Sequence, residues 1–279
     1  MFKRVLALPL MLLAAAPVLS GCSTDSLTAQ GIAQAAETTS AKGGAKVSMR
    51  TTTTIPGGGA LKMTGDGVID SKRRVGHMTM RFGGLPGSEA MTQEMIFERF
   101  TIYMRSKLFG AGLESGKKWL KFDLSKVSKD LGIDLAQLGQ VGQDPSQSMQ
   151  MLKAIGGDVK KVGEEKVRGV DTTHYSATVD FAKYPAAVPA SDRAAVKKSM
   201  DNLIKLTGQR TVPVDVWVDD DKVVRRFGQT IKTKLPGAGS MQMKMTMDFY
   251  DFGTKVDVKK PPADQVQDIS ELAAGLRTS

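Results

Sequence analysis

From residue 241 to 249 the chain alternates without a slip. Met241, Met243, Met245, Met247 and Phe249 are separated by Gln242, Lys244, Thr246 and Asp248. A strand points successive side chains to opposite faces, so this period of two gives one apolar wall and one polar wall. A helix would scatter the methionines around its axis. The chain is thereby committed to a β-sheet with a methionine-lined face.

The same period recurs along the sequence. Val47, Met49, Thr51, Thr53 and Ile55 alternate with polar residues, and Pro56-Gly57-Gly58-Gly59 then turns the chain. Leu61 and Met63 open a second strand toward Ile69. After a turn at residues 70–73, a third carries Met78, Met80 and Phe82 on one side. Three strands joined by short turns are a meander. Residues 94–104 are expected as one long strand, with Ile96, Phe100, Ile102 and Met104 on one face and Phe97 and Tyr103 on the other. Strands are also expected at residues 118–123, 159–167, 172–181, 214–218, 223–234 and 239–252.

Helical spacing predicts helices at residues 27–38, 131–138, 146–155 and 191–206. Asp144-Pro145 gives the third a cap and a proline at its first turn. Gly208 ends the fourth. No βαβ rhythm and no long repeat is present. The expected class is α+β: an antiparallel sheet whose apolar face is covered by helices.

The single cysteine, Cys22, excludes an intramolecular disulfide and a thiolate metal cluster. It ends Leu19-Ser20-Gly21-Cys22, after Lys3, Arg4 and a 15-residue apolar run at residues 5–19. That run is shorter than the roughly 20 residues a spanning helix needs. The segment resembles a bacterial lipobox. The resemblance implies removal of residues 1–21 and a lipid anchor, with acyl chains such as palmitate, at Cys22. The expected location is the extracytoplasmic face of the cell membrane. Residues 22–45 are then a lipidated tether with a short helix, residues 46–265 the folded domain and residues 266–279 a tail.

The 279 residues carry a net charge of +10, or +8 without Lys3 and Arg4. A basic exported chain suits anionic lipid surfaces. Nucleic acid is excluded as a partner, because no basic stripe with interleaved aromatics exists. Catalytic patterns are weak. His77 and His174 each lie in strand sequence without an acid–nucleophile partner pattern. Ser115-Gly116-Lys117-Lys118 matches Ser-x-x-Lys only in a glycine-rich turn. Asp219-Asp220-Asp221 lacks the spacing of a calcium loop and is expected at a hairpin tip. Neither an enzyme nor a cofactor is expected, and no metal site.

Fourteen of the 16 methionines lie beyond residue 22. Methionine is unbranched and adapts its shape, so a stripe of it specifies one packing poorly. That is a drawback in a plain core and an asset in a cavity for acyl chains. Shielding two lipid tails means covering roughly thirty methylenes, on the order of 20 kcal/mol of apolar surface. The simpler alternative is a methionine-rich core.

Three further motifs follow one another. They are Val167-Arg168-Gly169-Val170-Asp171-Thr172-Thr173-His174-Tyr175 through Val179-Asp180, then Val214-Asp215-Val216-Trp217-Val218-Asp219 through Arg225-Arg226, then Asp248-Phe249-Tyr250-Asp251-Phe252-Gly253 through Pro261-Pro262. With the lipobox and the meander, their order and spacing resemble the actinobacterial LppX/LprG-type lipoproteins of the LolA/LolB-like fold. The resemblance covers most of residues 30–265. It implies a strongly curved antiparallel half-barrel with helices on its concave face. It implies an apolar cavity that carries lipid or lipoglycan acyl chains across the envelope, in a monomer served by a membrane transporter. No catalytic residue carries over. From inward alternation, the expected cavity residues are Met78, Met80, Ile96, Phe100, Ile102, Met104, Met241, Met243, Met245 and Met247. The other function open to such a fold is a sensing or partner-binding module. A void of several hundred Å³ favours lipid carriage, and a filled core favours the module.

Overall fold

Strands with a single apolar wall must pair side by side and bury that wall together. The computed structural model describes residues 27–57, 59–83, 91–99, 101–109, 112–123, 149, 151–156, 158–188, 190, 193–235 and 239–269. Within them the chain forms one sheet of twelve strands.

Two meanders meet back to back. The first comprises β1 (Gly44–Ile55), β2 (Gly59–Asp70), β3 (Val75–Gly83), β4 (Met91–Glu98), β5 (Thr101–Ser106) and β6 (Trp119–Asp123). The second comprises β7 (Lys160–Val167), β8 (Val170–Asp180), β9 (Thr211–Val218), β10 (Val224–Leu235) and β11 (Gly239–Tyr250). β1 pairs with β11 and joins them, with Met49 opposite Met247. β12 (Val266–Asp268) adds to the far edge beside β6. The sheet is open, with β12 and β7 as its outer strands.

Three expectations are corrected. Residues 94–104 are not one strand but the hairpin β4–β5, with Arg99 in the left-handed region at φ 53°. Crossing a turn resets the alternation, so Ile96 and Ile102 fall on opposite faces. Val266–Asp268, expected in the tail, joins the sheet and pairs parallel with Trp119–Lys121, so the sheet is not wholly antiparallel. Gly44 and Ala45, expected in the tether, begin β1 in register with Asp70 and Ile69. Residues 1–26, which include Cys22, lie outside the described residues, as do Phe100 and the helix expected at 131–138. Of the one expected at 146–155, Met149 and Met151 are helical and Leu152–Ala154 form a short 3-10 turn.

Two helices are described. α1 (Ala29–Ala41) is capped by Thr28, whose hydroxyl accepts from Gly31 N–H at 3.2 Å. It buries Ile32, Ala35, Ala36 and Thr39, which fall at the spacing of one helix face. Thr39 Oγ1 donates to Ala35 O at 2.6 Å and accepts from Val224 N–H at 2.8 Å. The β9–β10 register shifts between Val224 and Arg226, beside that amide. α2 (Arg193–Thr207) buries Val196, Ser199 and Met200 and ends at Gly208, φ 68°.

Candidate functional site

The inner face is built in cross-strand rows. One row runs Met247, Met49, Gly65, Met80, Gln93 across β11, β1, β2, β3 and β4. A second runs Gly67, Met78, Met95, Met104 from β2 to β5. A third runs Gln229, Met245, Thr51, Met63, Phe82 from β10 to β3. Thioethers therefore meet thioethers on neighbouring strands about 5 Å apart.

Glycine makes room for them. A Cβ at Gly65 would lie 2.4 Å from Met80 Sδ. A Cβ at Gly67 would lie 2.1 Å from His77 O and 2.7 Å from Met78 Cγ. The β3 methionines thus lie down over bare β2 backbone.

Between these side chains is a cavity of about 100 Å³. Its walls are Met49, Met63, Met78, Met80, Met95 and Met104. Phe82 and Gln93 complete it. An apolar void of about 150 Å³ holds one benzene, so this cavity admits only a few carbons as it stands.

Of the residues expected here, Met78, Met80 and Met104 line the cavity. Met245 and Met247 are buried in the adjoining core. Met241 and Met243 share their face but are half-buried toward the start of β11. Ile102 is in the core, opposite Phe97. Ile96 faces the other way, opposite Tyr103, outside the inner-face core. Met95 was hidden by the reset at Arg99. Its spacing from Gln93 and Phe97 was the available signal. Met49 and Met63 are legible as apolar positions of the first two strands, but nothing in the sequence brings them beside Met95.

The outer face carries the ion pairs. Asp248, buried on β11, accepts from Arg226 at 2.6 and 3.1 Å and lies 3.3 Å from Arg50 and 3.5 Å from Arg168. Burial pushes its carboxyl up. The Arg226 hydrogen bonds and the charges of Arg226, Arg50 and Arg168 outweigh this and hold it below the usual carboxylate range. Arg168 also stacks over Tyr250 at 3.9 Å. Trp217 lies against Gly228 and stacks on His174 at 4.0 Å, and His174 Nε2 is 2.9 Å from Asp215 Oδ1. His174 is thus engaged in a surface network. His77 is exposed. Asp219 accepts from Val223 N–H and Arg225 at its hairpin tip. Among the described residues, no three His, Cys, Asp or Glu side chains are grouped to hold a metal. Among them, no helix is long and apolar enough to cross a membrane.

No family model matches the chain. An uncharacterized 31.2 kDa Streptomyces griseus protein from the rplA-rplJ intergenic region is 34% identical over 56% of this chain and 50% of its own. A candidate lipoprotein of Streptomyces coelicolor is 24% identical over 77% of this chain and 60% of its own. The chain thus spans 50% and 60% of the length of these curated relatives. Among solved structures, Mycobacterium tuberculosis lipoprotein LppX is 13% identical, with a TM-score of 0.45, over 82% of this chain and 99% of its own. The chain resembles the actinobacterial LppX/LprG-type lipoproteins. The chain's own fold, among the described residues, is one large open sheet with two helices.

Proposed function

We propose that the chain is a lipoprotein anchored through Cys22 at the extracytoplasmic membrane face, which binds acyl chains of lipid or lipoglycan on its methionine-lined inner wall and carries them across the envelope. In this reading the sheet is a half-barrel, its concave side closed by helices. A membrane transporter loads the protein, which acts as a monomer without catalysis.

One observation carries the reading. Six methionines from five adjacent strands converge on one cavity. A stable core has no need of this, since branched side chains pack with less loss of uniqueness. The cavity is small, but its walls are movable: each thioether turns about unbranched bonds, so an entering chain displaces methionines rather than backbone. The expected ligand sites are Met78, Met80, Met95 and Met104 around the void, with Met245 and Met247 as the adjoining wall.

The small volume also favours a second reading, a sensing or partner-binding module whose core is nearly filled. Native mass spectrometry of the full chain, purified from membranes and freed of detergent in the instrument, separates the two. Lipid adducts that disappear in a folded Met80→Lys variant support acyl binding. A clean apo mass that takes up no lipid on incubation supports the partner module.

A further inference from the structure

The third row of the inner face contains two side chains that do not belong to an apolar wall. Gln229 on β10 is 2% exposed and Thr51 on β1 is 5% exposed. Neither Gln229 Nε2 nor Oε1 has a hydrogen-bond partner, and neither has Thr51 Oγ1. Buried polar atoms are nearly always paired, so three orphans in one row call for an explanation.

Their placement supplies one. Gln229 is opposite Met245, Met245 is opposite Thr51, and Thr51 is opposite Met63, which lines the cavity. Gln229 and Thr51 are thus two strand spacings apart, roughly 10 Å, at one level of the same face. The residue between them is the unbranched Met245, which can swing aside. Gln229 is flanked along its own face by Phe227 and Ile231. Leucine or methionine would pack there without leaving an amide unpaired.

We propose that Gln229 and Thr51 form a polar subsite for the ester or hydroxyl group of an acyl ligand, whose hydrocarbon chain runs from that row into the methionine cavity. The chemistry selects a neutral group. The Gln229 amide offers two N–H donors and a carbonyl acceptor, and the Thr51 hydroxyl can donate or accept. The row itself is Gln229, Met245, Thr51, Met63 and Phe82, with no cation to receive an ionised headgroup, and among the described residues the buried charges Asp180, Asp219 and Asp248 are each paired with arginine. Met245 lies between the two side chains, and the subsite opens as it moves aside. It rests on the acyl-binding reading and adds to it the linkage that is recognised.

The experiment is native mass spectrometry of the full chain with methyl palmitate and octadecane at equal concentration. The two probes have nearly the same length and differ in the ester. Making one or two otherwise orphaned hydrogen bonds should favour the ester adduct by about tenfold. Q229M and T51V should each retain octadecane binding and bring the ratio toward one. An ester preference kept in both variants overturns the subsite. Equal adducts in the unaltered chain also overturn it, while acyl binding stands. No adduct of either probe overturns both proposals together.

Discussion

The two halves of the sheet share one alternation and use it for different interiors. On the β8–β10 side the inner face is Ala177, Val179, Val212, Val214, Val216, Val218 and Phe227, all buried. α1 and the turn at Leu152–Ala154 lie against that side, and Ile155 bridges to Val179. On the β1–β5 side the inner face is methionine over glycine, and it leaves a void. Valine has few rotamers and fills a fixed space. Methionine has many and fills whatever space is offered. On this contrast the valine half should supply more of the stability, and the methionine half should exchange some of it for adaptability.

The largest effects should therefore lie in the valine half. Phe227 is fully buried. Phe227→Ala should cost about 3–5 kcal/mol, read from urea unfolding. Met80→Ala should cost less, about 2 kcal/mol, because the neighbouring thioethers collapse into the gap. Equal losses would abolish the contrast and mark the methionine half as an ordinary tight core.

The halves are joined where β11 meets β1, and Asp248 is the polar tie on the outer face. Asp248→Asn leaves Arg226, Arg50 and Arg168 facing a neutral amide, and should cost about 3 kcal/mol at neutral pH. The folded-state carboxyl titrates below its unfolded value. Its contribution is therefore complete above about pH 4 and is lost as pH falls through the lower folded value. Urea midpoints of wild type and variant should converge in acid below about pH 4. A constant gap across that range would show that the charge is not what holds the junction.

Much of this was legible because period-two patterning is local. The boundaries of β7, β10 and β11, the end of α2 at Gly208 and the Arg168-Gly169 hairpin all follow from alternation and turn residues. The β4–β5 turn was not, because Arg99 adopts positive φ without the glycine or asparagine that usually announces it. That one missed turn misassigned Ile96 and concealed Met95. The parallel pairing of Val266–Asp268 with β6 was also invisible, since three residues carry no period and their partner is 147 positions away in the case of Lys121 and Asp268. Nor could sequence show that Gln229 and Thr51 share a row. That needs the register of three strands at once.

Within the methionine half, the two glycines of β2 test what gives way. At Gly67 the obstacle is the His77 carbonyl, which is fixed in the sheet. Gly67→Ala should cost about 3 kcal/mol by forcing the strands apart. At Gly65 the obstacle is a thioether, and Gly65→Ala should cost only about 1 kcal/mol as Met80 swings toward the cavity. Urea unfolding of the two variants reads the difference directly. A similar loss at both positions would mean that Met80 is held rigidly.

The smallest stability effect should come with a distinct functional one. Met78→Leu keeps volume and apolar character, so it should cost less than about 1 kcal/mol. Leucine branches at Cγ and holds fewer conformations, and Met78 is opposite Met95 in the row that ends at Met104. A Met78→Leu, Met95→Leu, Met104→Leu chain should therefore unfold at nearly the wild-type urea midpoint while its wall no longer yields to an entering chain. Native mass spectrometry with methyl palmitate should show fewer adducts, by several-fold, at unchanged stability. If uptake were unaffected, the cavity would admit acyl chains by moving backbone or helices, and the methionines would be filling space as any apolar residue could. The triple variant thus separates adaptability from hydrophobicity.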